Sequence, residues 1–188
     1  MTRGVIAYHQ RRGVHLPGLR ASFVVSTRHD SAIGGNAFRP TMVALPGSTD
    51  DLQALFTEVR DRMAERRGAL DAGDDVTASL AGLANLLPTS VLTQVARDQA
   101  GRLDFATSNL RGAPIPVFVS GAPVERMVLM GPVAGTAMNV TTLSYAGELH
   151  LGLFMDPAAI TDPSDLRECV ETAFTELREL AGPVDASA

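Results

Sequence analysis

The sequence predicts an α/β (α+β) domain, a mixed β-sheet of at least five strands with flanking helices. Three observations predict it. Between residues 103 and 155 the apolar pattern has a period of two, the mark of strands. Two amphipathic helical stretches, 51–67 and 163–181, lie outside that region and need a sheet face to bury their stripes against. The 188 residues, 45% of them hydrophobic, suffice for one core.

Residues 1–12 read as a helix that Gly13 stops. Leu19–Ser26 is rich in β-formers and follows Pro17-Gly18, which predicts a strand. A polar loop through Gly34-Gly35-Asn36 leads to a second strand at Thr41–Leu45, ended by Pro46-Gly47. In the helix at 51–67, Leu52, Leu55, Phe56, Val59 and Met63 form one stripe, with Thr49 and Asp50 as its expected capping residues. Two further helices are predicted at 74–86 and from Pro88 to about residue 100. Strands follow at 104–109, 117–119, 126–130, 139–145 and 148–155. Ala146-Gly147 joins the last two in a hairpin, with Gly where φ is positive. The alternation of Leu149, Leu151, Leu153 and Met155 predicts a deeply buried face there. Asp162 caps the terminal helix, Pro163 opens it, and Gly182-Pro183 ends it. Residues 1–183 are expected to form one domain and 184–188 a disordered tail.

Composition excludes several chemistries. All 16 basic residues are Arg, so a P-loop lysine and a lysine Schiff base are absent. One cysteine, Cys169, rules out an internal disulfide and fits a reducing compartment. A net charge of −5 argues against a nucleic-acid partner, and no apolar run is long enough to span a bilayer. Charge is uneven: residues 1–39 carry +5, so this stretch either meets an anionic partner such as CoA or a membrane surface, or is a solvated face. No spacing of the four histidines suits a metal. His29-Asp30 sits in a loop with no nucleophile beside it, and His150 is expected at the surface or lining a cleft. Cys169 reads as structural. Small polar residues gather at strand ends: Ser108 and Asn109, then Asn139, Thr141, Thr142 and Ser144. They either aim into a cleft, where amides and hydroxyls orient an ester or stabilise an oxyanion, or fill the solvent face of a sheet. Asn109 and Asn139 are expected to project toward the same edge.

Five patches in fixed order resemble a known family. They are Leu19–Arg28, Gly35–Pro46, Ser108-Asn109, Pro116–Ala122, and Asn139–Leu153, the last including Tyr145 and Gly147. The stretch from about residue 5 to 181 resembles the C-terminal domain of the bacterial wax ester synthase/diacylglycerol acyltransferases. The resemblance implies the C-terminal half of a chloramphenicol acetyltransferase-like fold, whose two halves enclose a tunnel. It implies acyl transfer from acyl-CoA, as co-substrate and with no bound cofactor, to diacylglycerol or a long-chain alcohol, in triacylglycerol or wax ester synthesis. Ser108, Asn109, Asn139 and Ser144 would then line the tunnel, while Gly35, Asn36, Tyr145 and Gly147 would be structural. The family's double-histidine active-site motif belongs to the N-terminal half and is absent from these residues. Ser108-Asn109-Leu110-Arg111-Gly112 stands where the family has Ser-Asn-Val-Pro-Gly. The resemblance therefore implies no catalytic residue in this chain, and a separately encoded N-terminal half as partner. It also implies a cytoplasmic location, with contact to membranes or lipid inclusions. The alternatives are a non-catalytic acyl-CoA- or lipid-binding or interaction module, and a truncated gene product.

Overall fold

A computed structural model describes residues 1–26, 38–47, 51–71, 101–133 and 135–182, together with three helical positions, Ser90, Gln94 and Asp98. In chain order the elements are α1 (Thr2–Gln10), β1 (Gly18–Ser26), β2 (Phe38–Pro46), α2 (Leu52–Asp71), β3 (Phe105–Arg111), β4 (Phe118–Val119), β5 (Ala122–Pro123), β6 (Met138–Tyr145), β7 (Glu148–Met155) and α3 (Pro163–Ala181). Five strands form one sheet in the order β2-β1-β3-β6-β7. Its centre is parallel, β1 with β3 and β3 with β6, and both outer pairs are antiparallel. The mixed sheet is the one the sequence predicts.

One face carries Leu19, Ala21 and Phe23 of β1, Val43 and Leu45 of β2, Phe105 of β3, and Met138 and Val140 of β6. These pack with Val5, Ile6 and Tyr8 of α1, Leu55 of α2, and Leu166, Cys169 and Val170 of α3 in a single core. These three described helices therefore cover the same side. At about 25 cal/mol per Å² of apolar surface buried, each fully enclosed Leu, Ile or Phe contributes roughly 1.5–3 kcal/mol. In α2 the predicted stripe holds at Leu55, but Phe56 turns outward. The cap is Asp51, whose Oδ1 accepts from the backbone N–H of Gln53 and Ala54; Thr49 and Asp50 lie outside the described residues.

The positive charge of the N-terminal stretch is used internally. Arg3 meets Glu176 at 3.1 Å, and Arg11 meets Asp165 at 2.5 Å and Glu168 at 3.1 Å. Arg12 pairs with Asp165, approaches Asp162 at 3.7 Å, and lies 3.7 Å over the Tyr8 ring. Acidic α3 thus absorbs three of the arginines that the sequence leaves open to CoA or a membrane. The Asp165 carboxyl is held below the usual carboxylate range, first by hydrogen bonds from Arg12 and then from Arg11. Cys169 is buried, and desolvation pushes its thiol up, so it is a core residue.

Two sequence expectations fail at the far edge of the sheet. Residues 126–130 form no ladder, because they cross over a sheet face instead of lying along an edge. The leucine face of β7 is not deeply buried: Leu149 is 56% exposed and Leu151, Leu153 and Met155 are half-buried. β7 is the terminal strand, and α3 covers it only in part. The hairpin before it turns on two left-handed residues, Ala146 (φ 49°) and Gly147 (φ 84°), as a two-residue connection of twisted strands requires.

Replacing Asp165 with Asn is expected to lower the melting temperature at neutral pH. A lowered carboxyl pKa stabilises the fold above the unfolded value, and that stability is lost as pH falls through the folded value. Melts of Asp165→Asn and the parent chain should therefore converge well below pH ~4. A difference that persists unchanged in acid would show that the carboxylate charge is not what holds α1 to α3.

Candidate functional site: a polar cluster under a strap

Because side chains alternate along a strand, the register fixes which residues share the face away from the helices. Three rows cross it: Ala106–Asn139–Phe154, Ser108–Thr141–Gly152 and Leu110–Leu143–His150. Ser108 and Asn139, both singled out from sequence, therefore share this face. Asn109 and Ser144 do not. They point to the helix side, where Asn109 Oδ1 accepts from the Thr142 hydroxyl at 2.9 Å and Ser144 is exposed. Asn109 and Asn139 lie on opposite faces, three ladder rungs apart, because Asn109 pairs with Thr142 and Asn139 with Ala106. The expectation that they reach one edge is wrong. Gly35, Asn36, His29 and Asp30 lie outside the described residues.

Residues 112–133 cross this face as a strap over β6 and β7. Gly112 N–H donates to Ser144 O at 2.8 Å, and Ala146 N–H to Ala113 O at 2.9 Å. The Tyr145 hydroxyl is the central fastening: it accepts from Val117 N–H at 2.9 Å and donates to Val124 O at 2.7 Å. It thereby grips both legs of the β4–β5 hairpin. Asn139 Nδ2 donates to Pro132 O at 2.8 Å at the strap's far end. Backbone meets sheet so closely that only glycine fits: a Cβ on Gly152 would strike Leu129 O, and one on Gly131 would sit 2.8 Å from the Asn139 amide.

Under this cover lie three buried polar atoms with no hydrogen-bond partner: Asn139 Oδ1, Thr141 Oγ1 and His150 Nε2. The His150 side chain is 9% exposed, its Nε2 is 3.7 Å from Glu148 Oε2, too long for a hydrogen bond, and its ring lies beside that of Tyr145. The strap, invisible to strand periodicity, removes His150 from the surface position expected of it. Each such orphan costs about 1–3 kcal/mol. An acceptor, a hydroxyl and an imidazole nitrogen turned under one cover are complementary to water or to a polar group of a ligand. Thr141 belongs to the same small polar cluster at strand ends that the sequence shows, and its alternation with Asn139 puts it on the same face. Among the described residues, no group of three His, Cys, Asp or Glu side chains could hold a metal.

Helices packed on one side of a mixed sheet give this chain the chloramphenicol acetyltransferase-like fold. The wax ester synthase/diacylglycerol acyltransferase from Marinobacter aquaeolei VT8 superposes with a TM-score of 0.66 at 16% identity, over 97% of this chain and 42% of that one. The starter condensation domain of rhizomide synthetase RzmA gives 0.54 at 16% identity, over 97% and 41%. Within that fold, the WS/DGAT C-terminal domain family matches residues 34–178, and the chain belongs to it. A Mycobacterium tuberculosis relative that carries the name diacylglycerol O-acyltransferase is 30% identical over 93% of this chain and 35% of its own length. A second with that name is 25% identical over 80% and 33%. The chain thus spans about a third of the length of these curated relatives.

Two substitutions probe the cluster. Thr141→Val removes an unpaired hydroxyl at nearly constant volume and should leave the chain equally stable or raise its stability by about 1 kcal/mol in denaturant unfolding. Tyr145→Phe should lower it by about 1–2 kcal/mol and speed amide exchange at Val117. Unchanged exchange at Val117 would mean that the hydroxyl does not fasten the strap.

Proposed function

We propose that the chain is the C-terminal half of an acyl-CoA-dependent acyltransferase that esterifies diacylglycerol or a long-chain alcohol, with the N-terminal half seated on the strap-bearing face. The observation that carries this is the state of that face. A sheet with a parallel centre is normally covered on both sides, yet here Val24, Met42 and Leu110 remain exposed beside the strap. The strap itself presents Ile115, Phe118 (63% exposed) and Met130 (76%) outward. An apolar surface of this kind marks a contact with another body, and the relatives are about three times as long as the part this chain matches.

In this reading the N-terminal half brings a histidine general base. It takes the proton of the acceptor hydroxyl, and the oxygen attacks the thioester carbonyl to form a tetrahedral oxyanion. Collapse of that intermediate breaks the carbon–sulfur bond, and the CoA thiolate leaves with the proton returned by the imidazolium. This chain supplies one wall of the tunnel. Ser108 and Asn139 face it, Asn139 mainly as a fastening for the strap, while Asn109 and Ser144, on the helix side, lie away from it. The reading places the protein in the cytoplasm at the surface of lipid inclusions; among the described residues, no helix is long and apolar enough to cross a membrane.

General-base catalysis is worth on the order of 10²–10⁴-fold. The purified chain should therefore transfer no acyl group from acyl-CoA to diacylglycerol above background, and an N-terminal half bearing the double-histidine motif, added in trans, should restore turnover. Phe118→Asp and Met130→Asp should each abolish that rescue while leaving the melt of the chain unchanged. Robust turnover by the chain alone would overturn the assignment of the base to the other half.

A further inference from the structure

A second unfilled surface lies on the other side of the sheet, away from the strap. The outer flank of α3 overhangs β7 and leaves a groove of about 1460 Å³, floored by Leu149, Leu151, Leu153 and Met155 and walled by Phe174 and Leu177. One side of the groove is the free edge of the sheet. β7 is the last strand, and its backbone forms no hydrogen bond beyond its ladder with β6. The opposite edge strand, β2, carries Pro40 and Pro46, which blunt an edge; β7 has no proline, and its only formally charged residue is Glu148. A long edge strand with apolar residues on alternate positions is a template for another strand of the same kind.

We propose that β7 is a homodimer seam, at which a second copy of this chain adds its own β7 antiparallel across a twofold axis, continuing the sheet through both subunits. β7 supplies what its own edge lacks: a complementary row of backbone donors and acceptors, and leucines with the right period. The register is determined by charge and face. Centred on Leu151, it sets Leu149 opposite Leu153 of the partner subunit and keeps both leucine rows on the groove side. Centred on Gly152, it would set Glu148 against Asp156 of the partner subunit, a like-charge pair that disfavours it. On the groove side, Arg178 stands toward one end of the rim and Glu171, which meets Arg167 at 3.6 Å, toward the other, so antiparallel docking brings Arg178 of each copy toward Glu171 of the partner subunit. This seam uses none of the residues assigned above to the contact with an N-terminal half, so either can fail without the other.

Sedimentation velocity of the full chain over a wide concentration range tests the seam. A species of twice the 19.8 kDa chain mass is expected. Leu149→Lys, at the most exposed of the groove leucines, should weaken association by about tenfold or more, whereas Met130→Lys, on the strap side, should not change it. Leu151→Cys should form an intermolecular disulfide on mild oxidation, since a residue on the axis faces itself; the parent chain, whose Cys169 is buried, should form none. A monomer at every concentration with no Leu151→Cys cross-link would overturn the proposal. So would a dimer that survives Leu149→Lys and is lost in Met130→Lys, which would assign self-association to the strap-bearing face.

Discussion

A sheet with parallel strands at its centre normally has both faces covered, because the crossover connections that parallel strands require pack over them. In this chain that requirement is met on one side everywhere but at the β7 edge, and only partly on the other. Three described helices cover the first face around Phe105, Val140 and Val170 and leave the leucines of β7 half-open. On the second, a strap with little regular structure covers β6 and β7 and leaves β1, β2 and β3 bare at Val24, Met42 and Leu110. The positions of the polar cluster, of the exposed hairpin and of the proposed contact with an N-terminal half all follow from this asymmetry.

The strap stays in place without a ladder because its fastenings are few and specific. One phenol oxygen serves a donor on one leg of the hairpin and an acceptor on the other. One asparagine holds the far end, and glycines let backbone lie directly on backbone. Such an attachment orders a segment whose own side chains point outward. That combination suits an arm that must meet another surface in a defined orientation. It also encloses three polar atoms away from water with no partner, a strain on stability that a ligand or water would relieve.

Electrostatics follow the same internal logic. The basic start of the chain and the acidic terminal helix answer each other across the helix layer, so the uneven charge of the sequence joins α1 to α3. Ion pairs at this exposure are individually weak. Their role is to fix the angle at which α1 lies on α3, while Ile6, Leu166 and Val170 supply the burial.

The sequence by itself determined the elements whose signal is local. Period two gave β3, β6 and β7; the stripe of Leu166, Val170 and Ala173 behind Asp162 and Pro163 gave α3; and five ordered patches gave the family. Local signals could not say which side of the sheet a polar residue occupies relative to the rest. That depends on register and on what crosses above, so Asn109 and Asn139 look equivalent in sequence and lie on opposite faces in the fold. For the same reason 126–130 has the composition of a strand but crosses the sheet instead of pairing along it, and the leucines of β7 have the pattern of a buried face but the terminal place in the sheet. His150 alternates with leucines as a surface residue would, and only the strap buries it. Periodicity specifies that a strand has two faces; which of them is covered, and by what, is decided by segments distant in sequence, because burial is a property of the packed molecule and not of the strand.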